Sequence, residues 1–214
     1  MSVEGYKDYG YDNGRAGHMH SRFLPQVLKF AGRLEPETRV LDVGCGNGFT
    51  CGEFLRRGCK TVGVDLSSQG IEIARRNYPA GRFEVLPADD HLLSNLAEEP
   101  FDLVVSTEVI EHLYAPRDFT RGCFEALKPG KRFICTTPYH GYLKNLAIAV
   151  AGKWDSHADP LWDGGHIKLW SKATLTRLLE EIGFRDVQFS GVGRLPGLWM
   201  TMVVSCEKPP LQQD

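Results

Sequence analysis

Glu108, Glu111 and His112 lie in the run Glu108-Val109-Ile110-Glu111-His112. Positions i, i+3 and i+4 share one face if the segment is helical, so two carboxylates and an imidazole would converge. Such a set suits a hard or borderline divalent ion such as Mg, Mn or Zn, and His166 in a later loop offers a fourth ligand. A plainer reading stands beside it, with Glu111 capping a helix and His112 packing against its neighbours. A second group is the glycine run Gly44, Gly46 and Gly48, preceded by Asp42 and followed 17 residues after Gly48 by Asp65. Glycines let backbone approach a ligand, and an acid at the end of the next strand accepts hydrogen bonds from ribose hydroxyls. A nicotinamide site would want a glycine at position 49, where this chain has Phe49. His140 and His166 are the remaining imidazoles placed to act as a general base.

These residues need an alternating α/β framework to hold them. Arg39 to Val43 reads as a strand that ends in the glycine run, and Phe49 to Arg57 as the helix after it, stopped by Gly58. The unit repeats. Thr61 to Val64 is followed by a helix through Ile71 to Tyr78, and Arg82 to Leu86 by a short helix near His91 to Ala97. Phe101 to Ser106 is a fourth strand, Pro116 to Leu127 a helix, and Arg132 to Thr136 a fifth strand. Residues 138–170 then run irregularly for longer than a passive connection needs. A helix over Ser171 to Ile182, with Ser171 as N-cap and Gly183 beyond its end, precedes two strands near Val187 to Ser190 and Trp199 to Cys206. With no helical pattern between them, those two predict an antiparallel hairpin at the sheet edge.

The 214 residues suit one domain, divided into an arm and first helix (1–35), a ligand-binding half (36–137), an insertion that would cap the site (138–170) and a C-terminal helix with edge hairpin (171–214). Apolar residues at 42% and charged residues at 24% are ordinary globular values, which exclude a disordered or collagenous chain. The 25 basic and 27 acidic residues leave a formal charge of −2, so there is no overall basic field to hold nucleic acid. Six scattered cysteines without a CxxC pair read as reduced thiols. With no signal-like N-terminus and no apolar stretch near the roughly 20 residues that span a bilayer, a cytoplasmic location is expected. Leu143 to Trp154, apolar between Lys144 and Lys153, is a candidate for peripheral membrane contact as well as for a core helix.

Val40-Leu41-Asp42-Val43-Gly44-Cys45-Gly46-Asn47-Gly48 resembles the first motif of the class I S-adenosylmethionine-dependent methyltransferases. Gly63-Val64-Asp65-Leu66-Ser67 is similar to their ribose-binding strand end, Phe101-Asp102-Leu103-Val104-Val105-Ser106 to their fourth strand, and Leu127-Lys128-Pro129-Gly130-Lys131 to the turn before their fifth. The resemblance covers roughly residues 36 to 137. It implies a Rossmann-like, doubly wound sheet of seven strands, mostly parallel with an antiparallel edge strand. It implies S-adenosyl-L-methionine as cofactor and S-adenosyl-L-homocysteine as product. Asp42, Gly44, Cys45 and Gly46 would border the methionine end, Asp65 the ribose and Leu66 the adenine edge, with Asp89, or Asp90 beside it, on the adenine amine. The Glu-x-x-Glu-His cluster and the segment Gly165-His166-Ile167-Lys168-Leu169-Trp170 resemble both the ubiquinone-biosynthesis O-methyltransferases and the small-RNA terminal 2′-O-methyltransferases, in which the cluster can hold a divalent ion.

Substrate recognition is expected on the arm, with Tyr6, Tyr9, Tyr11, His18 and His20, and on the loop from Pro138 to Trp170. The leading expectation is O-methylation of a small phenol, catechol or quinol. An RNA 2′-O-methyltransferase comes second, disfavoured by the charge, and a module that binds the cofactor without turnover is third. An NAD-dependent dehydrogenase trails because of Phe49.

Overall fold

The computed structural model describes residues 10–11, 13–15, 17 and 19–211. Tyr6, Tyr9 and His18 of the arm lie outside the described residues. Seven strands, β1 (Arg39–Val43), β2 (Lys60–Asp65), β3 (Arg82–Val85), β4 (Phe101–Thr107), β5 (Leu127–Pro138), β6 (Arg185–Val192) and β7 (Thr201–Glu207), form one sheet in the order β3-β2-β1-β4-β5-β7-β6. The first five strands run parallel, and β7 is antiparallel to both β5 and β6. The expected terminal hairpin forms the sheet edge, with β6 outermost and the reversed strand one place in.

Alternation along the strands divides the core between two faces, as a sheet covered on both sides requires. Leu41, Val104, Phe133 and Val204 face the layer of α4 (Leu92–Leu96), α5 (Pro116–Glu125) and α7 (Lys172–Ile182). Val40, Leu103, Val105, Ile134 and Val203 face α1 (His20–Ala31) and Phe54 of α2 (Phe49–Leu55). A third cluster joins Cys51 of α2 to Ile71 and Ala74 of α3 (Ser68–Asn77) over Phe83 of β3. All six cysteines are buried free thiols.

Local chemistry fixes the ends of α7. The Ser171 side chain accepts from the Thr174 backbone N–H, and the Thr174 side chain accepts in return from the Ser171 N–H, a reciprocal capping box. Gly183 ends the helix at φ 119°.

Two elements differ from expectation. β5 begins at Leu127 rather than Arg132, because Phe101 pairs with Leu127 before the register shifts across Lys128-Pro129-Gly130. Within the stretch 138–170 the candidate helix of Leu143 to Trp154 is present as α6 (Tyr142–Val150) but ends at Val150, with a largely exposed outer face. Among the described residues, no helix is long and apolar enough to cross a membrane.

Candidate functional site

The parallel strands deliver their carboxyl ends to one edge of the sheet, and the residues singled out by spacing arrive there. Gly44 and Gly46 have φ of 79° and 50°, conformations that side chains disfavour, and a Cβ at Gly44 would run into the Val109 side chain. The Gly44 and Cys45 N–H groups donate to the Val64 carbonyl at 2.8 and 2.9 Å, locking the turn onto the end of β2. Asp65 closes the loop: one carboxylate oxygen accepts from the Gly46 N–H and the other from the Ser67 N–H, each at 2.8 Å. Leu66 follows, half-buried.

Asp42 is fully buried under this turn. Its Oδ2 accepts from the Cys51 thiol at 3.4 Å, while Oδ1 has no partner among the described residues. Burial pushes its pKa up to about 7; the Cys51 contact works against the rise and the nearby Asp65 charge adds to it. Burial, then Asp42 and Asp65, also raise the Cys45 thiol well above its usual range, so it remains protonated. Asp89 is half-buried, and its Oδ1 accepts from the His91 N–H at 2.9 Å, starting the turn into α4. Asp90 is exposed, with Arg121 3.9 Å away.

Sequence reasoning missed Asn47 as the anchor of the arm. Its buried Nδ2 donates to the carbonyls of Asn13 and Arg15 at 2.7 and 2.9 Å, and the Tyr11 ring packs against Gly46 and Gly70. The signal was a polar amide within a glycine turn, where such a side chain must bond to backbone. Asn47→Ala removes both anchors, at about 1 kcal/mol each. Trypsin should then cut after exposed Arg15 about tenfold faster, a change that limited proteolysis with mass detection reads directly.

The acidic run does not form the helical face that its spacing predicts. Glu108 ends β4 in the left-handed region at φ 56°, strain of the kind that collects at functional sites, and residues Ile110–His112 make a single 3₁₀ turn. Glu108 is therefore not among the ligand atoms that converge with Glu111 and His112. Its Oε1 accepts from the Thr136 and Thr201 hydroxyls at 2.8 and 3.0 Å. Burial raises its pKa, which the two hydroxyls and Lys144 moderate.

Glu111, His112 and His166 do come together, one ligand atom from each lying within 4.8 Å of the others. Glu111 is 1% exposed; its Oε2 accepts from the Thr137 hydroxyl at 2.9 Å, and its Oε1 has no hydrogen-bond partner. Burial, then the Glu108 charge, raises its pKa well above the carboxylate range. The Glu111 carbonyl accepts from the Ile167 and Lys168 N–H groups, both at 2.9 Å, which pins His166 beside the turn. His112 Nδ1 lies 2.8 Å from the Gly164 carbonyl, an acceptor only, so Nδ1 carries the proton. Nε2 lies 3.9 Å from the unpartnered Glu111 oxygen.

The His112 and His166 rings sit 4.9 Å apart, and the Trp162 ring lies 5.3 Å from His166. Burial first, then neighbouring His112 and the further cationic groups, lowers His166 to about 4. His140 is elsewhere in the cap, its Nδ1 3.2 Å from the Asn145 Oδ1 and its ring 5.8 Å from His157. Burial and then Lys144 lower it to about 4 as well. Both imidazoles are neutral at physiological pH.

Known proteins resemble this chain in sequence and in fold. The sequence pattern of the methyltransferase domain matches residues 15–189. The chain is 30% identical over 162 residues to a ubiquinone biosynthesis O-methyltransferase of Dinoroseobacter shibae, covering 72% of this chain and 62% of that protein's length. It is 30% identical over 183 residues to the protein of the same name from Cereibacter sphaeroides, covering 83% and 70%. A SAM-dependent methyltransferase from Archaeoglobus fulgidus superposes with a TM-score of 0.63 at 18% identity, over 87% of this chain and 91% of that one. With the family pattern spanning most of its length and the glycine turn at the carboxyl edge of a seven-stranded sheet, the chain belongs to the methyltransferase domain family.

Proposed function

We propose that the chain transfers the methyl group of S-adenosylmethionine to a hydroxyl oxygen of a small phenol, catechol or quinol. The observation that carries this reading is the group Glu111, His112 and His166, reached from Val109, which packs against Gly44 of the cofactor turn. Groups that can lower the pKa of a hydroxyl thus adjoin the place where the methyl donor would lie. An amine acceptor needs only a neutral lone pair and would have no use for them. The names of the relatives point the same way.

In this reading Gly44, Cys45 and Gly46 line the methionine end above Asp42, Asp65 takes the ribose hydroxyls, and Leu66 and Asp89 border the adenine. Methyl transfer from a sulfonium is an in-line displacement, so the chain chiefly aligns the acceptor and excludes water. Trp162, Tyr139 and the imidazoles of the cap supply the walls.

The donor set fits a divalent ion, because it joins an unpartnered buried carboxylate oxygen to two imidazoles, one of them oriented by a carbonyl and the other neutral. Two nitrogens and one oxygen favour Zn or Mn over Mg. Bound there, such an ion would lower the pKa of an acceptor hydroxyl. Glu108, committed to two threonine hydroxyls, stays outside this set. A base titrating near 4 is poorly matched to a phenol, so His166 serves as a ligand and His140 orients the cap. The RNA alternative gains no support from a formal charge of −2.

Reaction of catechol with carbon-13 methyl-labelled S-adenosylmethionine should give an O-methyl resonance in the carbon spectrum. Labelling of amines, and of no hydroxyl, contradicts the proposal.

An apolar acceptor also accounts for the outer face of α6, where Tyr142, Leu143, Leu146 and Val150 are exposed. We propose that this face rests on a bilayer. The double substitution Leu143→Glu with Leu146→Glu should reduce co-sedimentation with phosphatidylcholine vesicles containing anionic lipid about tenfold or more. Unchanged co-sedimentation removes the membrane role.

A further inference from the structure

Helix α6 carries one charged residue, and it is the wrong one to bury. Lys144 is 4% exposed, while the leucines on either side of it in sequence, Leu143 and Leu146, face outward. A buried ammonium is unfavourable unless it is paired and all its donors are used. Among the described residues, Lys144 Nζ makes one hydrogen bond, to the Met200 carbonyl at a long 3.3 Å, and no ion pair. That carbonyl is shared, since it also accepts from the Tyr139 N–H at 3.2 Å. Two of the three ammonium protons are left without an acceptor among the described residues.

The surroundings supply one anion, Glu108, which makes no ion pair with the ammonium among the described residues. Glu108 is close enough for its charge and that of Lys144 to be felt mutually, but its Oε1 is held by two threonine hydroxyls. The other groups within electrostatic reach are Arg194, which repels Lys144, and His140, His157 and His166, whose protonation Lys144 opposes. Burial and Arg194 lower Lys144 to about 8, so it still carries a proton at neutral pH. The ammonium, on a helix of the cap itself, thus lies within electrostatic reach of Glu108 and the cap imidazoles, with donors to spare among the described residues.

We propose that Lys144 is an acceptor-binding residue, whose ammonium receives an anionic oxygen of the methyl acceptor. The inference rests on the reading of the site as that of an O-methyltransferase, and it narrows the acceptor to a hydroxyarene that presents a negative oxygen. That oxygen belongs either to a carboxylate substituent or to the ionised hydroxyl itself. A neutral acceptor would leave the lysine as unpaired as it is in the free protein.

The test is direct binding to the full chain loaded with S-adenosylhomocysteine, which needs no turnover. Catechol and 3,4-dihydroxybenzoate are titrated calorimetrically into the natural protein, Lys144→Met and Lys144→Arg at pH 7. A charge-assisted contact is worth about tenfold or more in affinity. If a carboxylate is the partner, the natural protein binds dihydroxybenzoate at least about tenfold more tightly than catechol, and Lys144→Met erases the difference. If the partner is the ionised hydroxyl, Lys144→Met weakens both ligands alike. Lys144→Arg retains the charge and most of the binding in either case. Lys144→Met removes an uncompensated buried charge, so its melting temperature should hold or rise, and lost binding is then not lost folding. Equal affinities of the natural protein and Lys144→Met for both ligands overturn the proposal, as does absence of binding by either protein. Methyl transfer is measured in parallel: charge-dependent binding without an O-methyl product sinks the O-methyltransferase reading and leaves the Lys144 site, whereas an O-methyl product with binding indifferent to Lys144→Met does the reverse.

Discussion

Asp65→Ala should raise the dissociation constant for S-adenosylmethionine about 100-fold or more. The carboxylate holds the Gly46 and Ser67 N–H groups from opposite oxygens, each at 2.8 Å. It therefore fixes the glycine turn to the end of β2 before any cofactor arrives. Hydrogen bonds to a charged group are worth about 1.5–3 kcal/mol each, and about 1.4 kcal/mol is tenfold in affinity. Alanine loses the ribose acceptor and loosens the turn together, which places the sum at two decades or beyond. Asp65→Asn is milder, about tenfold, because one oxygen still accepts while the amide confronts a backbone N–H. Calorimetric titration of both variants checks the order. A change under about threefold for Asp65→Ala would remove Asp65 from the cofactor site.

Glu111→Gln should lower kcat about 1000-fold while making the free protein more stable, a combination that a merely structural residue would not produce. The glutamine keeps the shape and the bond to Thr137 but cannot supply a charge to the group it forms with His112 and His166. The stability effect has a definite sign. Burial and Glu108 raise the folded pKa of Glu111 above its unfolded value, so the folded chain holds this proton more tightly. Glu111 then favours folding most below its unfolded pKa of about 4.3, and that contribution is lost as pH rises from there toward the folded value. The neutral glutamine avoids the loss. Melting temperatures taken in chelator should therefore differ little at pH 4.5, with Glu111→Gln ahead at pH 8. A lower melting temperature for the variant at pH 8 would contradict this account.

The parts of the site that could be read from the sequence are those set by backbone geometry. Asp42, the glycine turn and Asp65 sit at strand ends, and short apolar runs closed by glycine or an acid mark those ends locally. The capping box of α7 is equally local. Residues 108–112 were misplaced because helical spacing presumes a helix, and the chain instead leaves β4 through a left-handed Glu108 into one 3₁₀ turn. Nothing in the local sequence forbids either path. The choice rests on Thr136, Thr201 and the Glu111 carbonyl, whose partners lie up to 93 residues away. The cap hides most. An apolar run containing one lysine reads as a helix with the lysine outside, whereas α6 buries Lys144 and exposes its leucines. The role of Asn47 is equally non-local, because its partners, the Asn13 and Arg15 carbonyls, lie 34 and 32 residues back along the chain.

The measurement that bears most directly on the central claim is transfer of a labelled methyl group from S-adenosylmethionine to catechol and 3,4-dihydroxybenzoate, with the protein as purified, after chelation, and after zinc or manganese is restored. The account predicts an O-methyl product that falls at least about tenfold on chelation, returns with the ion, and does not return in Glu111→Gln. Full activity after exhaustive chelation would contradict the role given to Glu111, His112 and His166, and tight binding of the cofactor with no O-methyl product would contradict the proposed reaction itself.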